Sequence, residues 1–113
     1  MSFGEEIRKI REEKGLSQQE LAELLGYKTN SYISEIERGR FLPSQRKLPE
    51  LAKALKVPLK KLKDLLFQAK LEELGIKEPG FLNMLKDYPY LSKKDKRAII
   101  KAYLKIKERK WKR

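Results

Sequence analysis

The sequence predicts an all-α protein, and three observations carry that prediction. Helix-start and helix-stop residues recur along its 113 positions. Apolar residues between them return at spacings of three and four, and no alternating apolar–polar run is long enough for a strand.

The elements follow in order. Ser2 with Glu5 forms a capping-box pattern, after which Phe3, Ile7 and Ile10 share a helical face until Lys14-Gly15 ends the helix. Ser17 with Glu20 is a second capping box, opening a helix from Gln18 to Leu25 that Gly26 stops. Thr29 is placed to cap a third helix, 29–38, closed by Gly39. Pro43-Ser44 marks a turn before a fourth helix carrying Leu48, Leu51, Ala52 and Leu55. Pro49 must lie in its first turn, because an interior proline removes a hydrogen bond and clashes with the preceding turn. Pro58 suits the first position of a fifth helix running from Leu59 to Leu74. Beyond the loop Gly75–Gly80, Phe81, Leu82, Met84, Leu85 and Tyr88 make a short amphipathic helix closed before Pro89. Ser92 with Asp95 then opens a last helix, with Ile99, Ile100, Tyr103, Leu104 and Ile106 as its apolar positions.

Composition narrows the function. Without Cys or His the chain has no thiolate chemistry, no disulfide, and neither the commonest general base nor the commonest metal ligand. No Gly-rich phosphate loop is present, so an enzyme is not expected, nor a metal or other cofactor. The amino terminus lacks a basic start followed by an apolar run, and no apolar stretch approaches the roughly 20 residues that span a bilayer. The expectation is a soluble, cytoplasmic protein. Net charge is +12, from 28 Lys and Arg against 16 Asp and Glu, an excess that calls for a polyanionic partner. Nucleic acid fits better than a membrane, since no strongly apolar face accompanies the basic one.

Residues 17–39 hold the informative constellation. Small Ala22 allows a close helix crossing, Gly26 permits the positive φ of a sharp turn, and Leu21, Leu25, Ile33 and Ile36 join the two helices. The run Ser17-Gln-Gln-Glu-Leu-Ala-Glu-Leu-Leu-Gly26, followed by Ile33-Ser-Glu-Ile-Glu-Arg-Gly39, resembles the Cro and phage-repressor (XRE-type) helix-turn-helix family. Its flanks match too, with Ile7-Arg-Lys-Ile-Arg-Glu-Glu-Lys-Gly-Leu-Ser17 ahead and Pro43-Ser44, Leu51-Ala-Lys-Ala-Leu55 and Val57-Pro-Leu59 behind. The likeness covers about residues 3–66. It implies a five-helix, lambda-repressor-like DNA-binding domain over 1–66; residues 67–113 fall outside the likeness, and their helix signals make them a two-helix extension. The third helix of such a domain lies in the major groove of double-stranded DNA. Between Gly26 and Ile33 this chain is one residue longer than the usual spacing, and the extra residue is placed near Lys28, leaving Thr29 as the cap.

With Ile33 and Ile36 inward, Ser31, Ser34, Glu35 and Arg38 project outward and Asn30 stands at the helix start. Short polar side chains can bond base edges, so Asn30, Ser31, Ser34 and Glu35 are the candidate base readers. Glu35 near Glu37 equally suits a solvated face. The resemblance assigns phosphate contacts to Gln18 and to the basic segment after the third helix, with Arg38, Arg40, Ser44, Arg46 and Lys47. Lys28 and Thr29, in the turn, join that set. The apolar residues of the extension, Phe81, Leu85, Tyr88, Ile99, Ile100, Tyr103, Leu104 and Ile106, either finish the monomer core or pair two copies, and a homodimer is expected. Residues 93–113 alone hold eleven Lys and Arg against two acids, a tail that can also graze DNA phosphates. The rival reading is an antitoxin or adaptor on the same fold, with a toxin or inducer as protein partner.

Overall fold

The computed structural model describes residues 1–111, and among them only helices and turns occur. The helices are α1 (Phe3–Glu13), α2 (Gln18–Leu24), α3 (Ser31–Glu37), α4 (Leu48–Leu55), α5 (Leu59–Glu73), α6 (Pro79–Asp87) and α7 (Lys93–Trp111). Single 3₁₀ turns precede α4 (Gln45–Lys47) and follow α6 (Tyr88–Tyr90). The chain divides into two compact units, Met1–Ile76 and the residues from Lys77 onward. The boundary expected after residue 66 falls inside α5, whose hydrogen-bonded turns continue to Glu73 before Gly75, at φ +80°, ends them.

In the first unit both capping boxes form. Ser2 Oγ accepts from Glu5 N–H at 3.2 Å and Ser17 Oγ from Glu20 N–H at 3.0 Å, while each Glu side chain accepts from the N–H of its Ser. These bonds satisfy donors that the first helical turn would otherwise leave unpaired. Gly26, at φ +86°, closes α2: its N–H donates to Glu23 O, and Tyr27 N–H donates to Ala22 O. One core joins all five helices. Ile7, Leu21, Ile33, Ile36, Leu48, Leu51, Leu55, Leu62 and Leu66 are fully buried in it. Burial of each such side chain contributes about 1.5–3 kcal/mol before the entropy of ordering the chain is subtracted.

Three boundaries differ from expectation. α3 spans Ser31–Glu37 rather than 29–38, and its cap position is Asn30, which makes no side-chain capping bond. Thr29 does not cap it, because its hydroxyl is turned to Ser31 Oγ at 3.2 Å. Pro58 occupies the cap position of α5 rather than its first helical place. α6 starts at Pro79, two residues before Phe81, since proline's fixed φ and missing N–H suit a helix start.

In the second unit Ser92 Oγ accepts from Asp95 N–H at 3.0 Å and starts α7, and Lys96 Nζ lies 5.3 Å from the centre of the Tyr88 ring. No side chain of α6 or α7 is buried. None of the described helices is long and apolar enough to cross a membrane.

Candidate nucleic-acid interface

The pose of α3 is fixed from behind. Gly4 of α1 meets the C-terminal end of α3 so closely that a Cβ there would run into the Ile36 and Glu37 carbonyls. Beside this contact lies a buried ion pair between α1 and α3. Arg11 Nε and Nη2 donate to the Glu37 carboxylate at 2.7 and 3.0 Å, and Arg11 Nη1 donates to Leu16 O at 2.7 Å. The two side chains are 9% and 3% exposed, so water does not compete for them. The Glu37 hydrogen bonds raise the Arg11 pKa above its ordinary value, outweighing burial, which lowers it. Gln18, at the start of α2, extends the chain. Its Nε2 donates to Glu37 Oε1 at 3.0 Å, and its Oε1 accepts a long bond from Asn30 Nδ2 at 3.5 Å. One polar chain thus ties α1, α2 and both ends of α3.

The opposite face of α3 is open. Asn30, Ser31 and Arg38 are exposed and Ser34 and Glu35 are half-buried, while Ile33 and Ile36 point into the core. The helix end explains a further contact. Gly39, at φ +79°, terminates α3 so that Arg40 N–H donates to Glu35 O. This fold-back brings residue 40 beside residue 35, and Arg40 Nε reaches Glu35 Oε2 at 3.3 Å. Both side chains keep solvent access, at 64% and 37%, so the pair can be exchanged for other partners.

Aromatic residues join the two chain segments that flank α3. The Tyr32 ring lies 5.0 Å from Tyr27 and 5.6 Å from Phe41, and Lys47 Nζ sits 5.7 Å from the Tyr27 ring centre. The lengthened turn before α3 is therefore packed against the loop that follows it. The Tyr32 hydroxyl is buried and has no hydrogen-bond partner among the described residues, and burial raises its pKa.

Comparison with known proteins fits this arrangement. A helix-turn-helix family model matches residues 7–62. A 10 kDa protein of the ImmF control region of Bacillus phage phi105 is 42% identical over 61 residues, 54% of this chain and 67% of that protein. The HTH-type transcriptional regulator y4dJ of Sinorhizobium fredii is 43% identical over 54 residues, 48% of this chain and 69% of that one. This chain belongs to the XRE-type helix-turn-helix family. Multiprotein-bridging factor 1 of Candida albicans is 42% identical over 60 residues, 53% of this chain but only 39% of that protein. A solved SinR protein/SinI protein complex aligns over 96% of this chain and 99% of its own at 30% identity, with a TM-score of 0.49.

Within this family member, Asn30, Ser31, Ser34 and Glu35 stand together on the outer face of α3, with Arg38 and Arg40 at its end. Ser44, Arg46 and Lys47 form a second exposed group at the 3₁₀ turn, where Lys47 also approaches Glu50 at 3.9 Å. Lys28 and Thr29 are exposed in the turn, and the Lys28 carbonyl accepts from Gln19 Nε2 at 3.1 Å. Gln18 is already engaged by Glu37 and Asn30. Sequence reasoning missed the Arg11–Glu37 pair and allowed Glu37 a place on a solvated face. The signal was present: Ile33, Ile36 and Glu37 stand at i, i+3 and i+4, as do Ile7, Ile10 and Arg11, so each charge continues a core-facing stripe.

Proposed function

We propose that the chain is a transcriptional regulator, a repressor, that binds duplex DNA with α3 in the major groove. The observation that carries this reading is the outer row Asn30, Ser31, Ser34 and Glu35 on a helix whose reverse side is fixed by the buried Arg11–Glu37 pair. A reader of base edges needs short polar groups held at a set pose, because a misplaced donor loses its partner. In this proposal Arg38, Arg40, Ser44, Arg46 and Lys47 hold phosphates, with Lys28 and Thr29 at the turn. Gln18 acts mainly by orienting Asn30. Arg40 exchanges Glu35 for a phosphate when DNA arrives.

The functional unit in this proposal is a symmetric dimer paired through the second unit. Its apolar side chains support this: Phe81, Ile100, Tyr103, Leu104 and Ile106 are 39–54% exposed and nothing in α6 or α7 is buried. Two copies would place their α3 helices about 34 Å apart, one turn of DNA, on an inverted repeat. The likeness to a bridging factor favours a second reading, a protein-binding adaptor or antitoxin on this fold.

Selection of duplexes from a random pool separates these readings. A preferred site is expected, with Ser34→Ala and Glu35→Ala shifting preference at particular base pairs by about 1–3 kcal/mol. Arg40→Ala should weaken all sequences alike. A chain that enriches no sequence would refute DNA reading and leave the adaptor. Light scattering on the wild type and on Ile100→Glu/Leu104→Glu tests the pairing, which a monomeric wild type at tens of micromolar would refute.

A further inference from the structure

Most of the net charge lies outside the unit that carries α3. Residues 1–76 hold fifteen Lys and Arg against twelve Asp and Glu, a net +3. Residues 77–113 hold thirteen against four, a net +9. Most of that excess is on α7, which has nine Lys and Arg and two acids, Asp95 and Glu108, among its 19 residues.

The arrangement on α7 is ordered. Arg97, Lys101, Lys105 and Arg109 follow one another at i, i+4, i+8 and i+12, so they form a single row along one side of the helix, and all four are exposed. At 1.5 Å per residue the row is about 18 Å long. Along a duplex axis that is the length of about five nucleotides of one strand, at about 3.4 Å each. The half-buried Ile99 and the apolar side chains of Ile106 and Tyr103 lie round the other side of the helix.

A solvated helix face carries both signs, and this chain builds such faces elsewhere. Arg8 pairs with Glu12 on α1 at 3.5 Å, and Lys60 with Asp64 on α5 at 2.8 Å, each at i, i+4. The α7 row has like charges at the same spacing, which repel where the other helices attract. Among the described residues none of its four members is in an ion pair. Such a row is unfavourable alone and becomes favourable against a regularly spaced line of negative charge.

We propose that Arg97, Lys101, Lys105 and Arg109 of α7 form a second, sequence-independent binding site for the phosphate backbone of duplex DNA. The site is separate from α3, but the choice of DNA as the polyanion rests on the proposed function. α7 then adds affinity for every sequence beside the phosphate contacts proposed around α3, and selection comes from α3. An anionic bilayer fits less well, because Lys96, Lys107 and Lys110 interrupt the apolar side that an interfacial helix would bed into lipid.

The test is a salt titration of the full chain on a duplex of mixed sequence and on the preferred duplex. Wild type is compared with Arg97→Gln/Lys101→Gln/Lys105→Gln/Arg109→Gln. A charge-matched control changes the exposed Lys9, Lys14, Lys53 and Lys63 to Gln. Each neutralised phosphate contributes about 0.9 to the slope of log K against log salt, so the α7 variant should lose about 3–4 of it. Its affinity for both duplexes should fall at least tenfold while the ratio between them is kept, and the control should shift the slope by less than one. Should the four-fold variant lose helical circular dichroism, Lys101→Gln/Lys105→Gln decides, with an expected slope change of about two. An unchanged slope, or equal changes in variant and control, overturns the α7 site. So does wild-type preference for phosphatidylglycerol vesicles or single-stranded RNA over duplex. If wild type binds the preferred duplex and the α7 variant keeps the wild-type slope, this site alone is refuted, whereas a wild type that binds no duplex refutes the DNA reading itself.

Discussion

Replacing Glu37 by Leu should be among the most destabilising single changes in the first unit. The carboxylate is 3% exposed and accepts two bonds from Arg11, at 2.7 and 3.0 Å, and one from Gln18 at 3.0 Å. Its removal leaves a guanidinium that is 9% exposed without a counter-charge and beyond the reach of bulk water. With charge centres about 4 Å apart and an effective dielectric near 20, the lost attraction is about 4 kcal/mol. Removal of one partner from other buried pairs costs about 3–5 kcal/mol, which agrees. That is a large part of the roughly 5–15 kcal/mol by which a domain is stable. Arg11→Met should cost a similar amount, by stranding the carboxylate instead. The double variant should recover most of the loss, since neither charge then needs desolvating. Urea denaturation followed by circular dichroism on all four proteins gives the coupling, expected to exceed about 2 kcal/mol. Single variants that each cost under about 1 kcal/mol, or losses that simply add, would refute the claim that the pair is dry and mutually dependent.

Three further outcomes follow from the same geometry. Gly4→Ala should destabilise by about 1–3 kcal/mol, because the new Cβ meets the Ile36 and Glu37 carbonyls and backbone cannot yield as a side chain can; an unchanged denaturation midpoint would show that α1 and α3 slide apart freely. Tyr32→Phe should stabilise by about 1 kcal/mol, since it deletes a buried hydroxyl that has no partner and keeps the ring contacts with Tyr27 and Phe41; a lower midpoint would reveal a water bonded to that hydroxyl. Glu5 and Glu20 have pKa values lowered by hydrogen bonds from Ser2 and Ser17, so the stability they supply is complete above the unfolded carboxylate range and is lost as pH falls through their lowered folded values. Thermal melts from pH 6 downward should show that loss, and Glu5→Gln/Glu20→Gln should flatten it.

Much of the fold was legible because it is encoded locally. The Ser2–Glu5 and Ser17–Glu20 boxes, Gly26 after α2 and the proline at 58 each act over four or five residues, and each is found at or within one position of its expected place. The start of α3 was less legible. Thr29 and Asn30 both have side chains suited to capping, yet neither caps: Thr29 turns to Ser31, and Asn30 reaches Gln18, 12 residues away, a contact that no local pattern encodes. The Arg11–Glu37 pair was missed for a related reason. Its partners are 26 residues apart, and a charged side chain in a core stripe looks like an interruption until its counter-charge is found. The outer face of α3 was found because it is what remains once Ile33 and Ile36 are assigned inward.

The same two ion pairs show why one glutamate of α3 belongs to the fold and the other to the surface. Glu37 and Glu35 are two residues apart, so on a helix they point about 160° from each other, given 3.6 residues per turn. Glu37 meets Arg11 where the two side chains are only 3% and 9% exposed, and Gln18 and the Leu16 carbonyl complete the hydrogen bonds of the pair. Glu35 meets Arg40 where both remain wet, and in that setting an ion pair is worth under about 1 kcal/mol. Breaking it costs little, so a phosphate oxygen can take the guanidinium and leave the carboxylate to accept from a base or to repel a wrong one. In the proposed reading, Arg40 screens the Glu35 charge in the free protein, and that charge would become selective once DNA draws Arg40 away. Neutralising Glu35 should therefore strengthen binding to mixed-sequence duplex while weakening discrimination, and a Glu35→Gln variant that loses affinity for every sequence equally would refute that division.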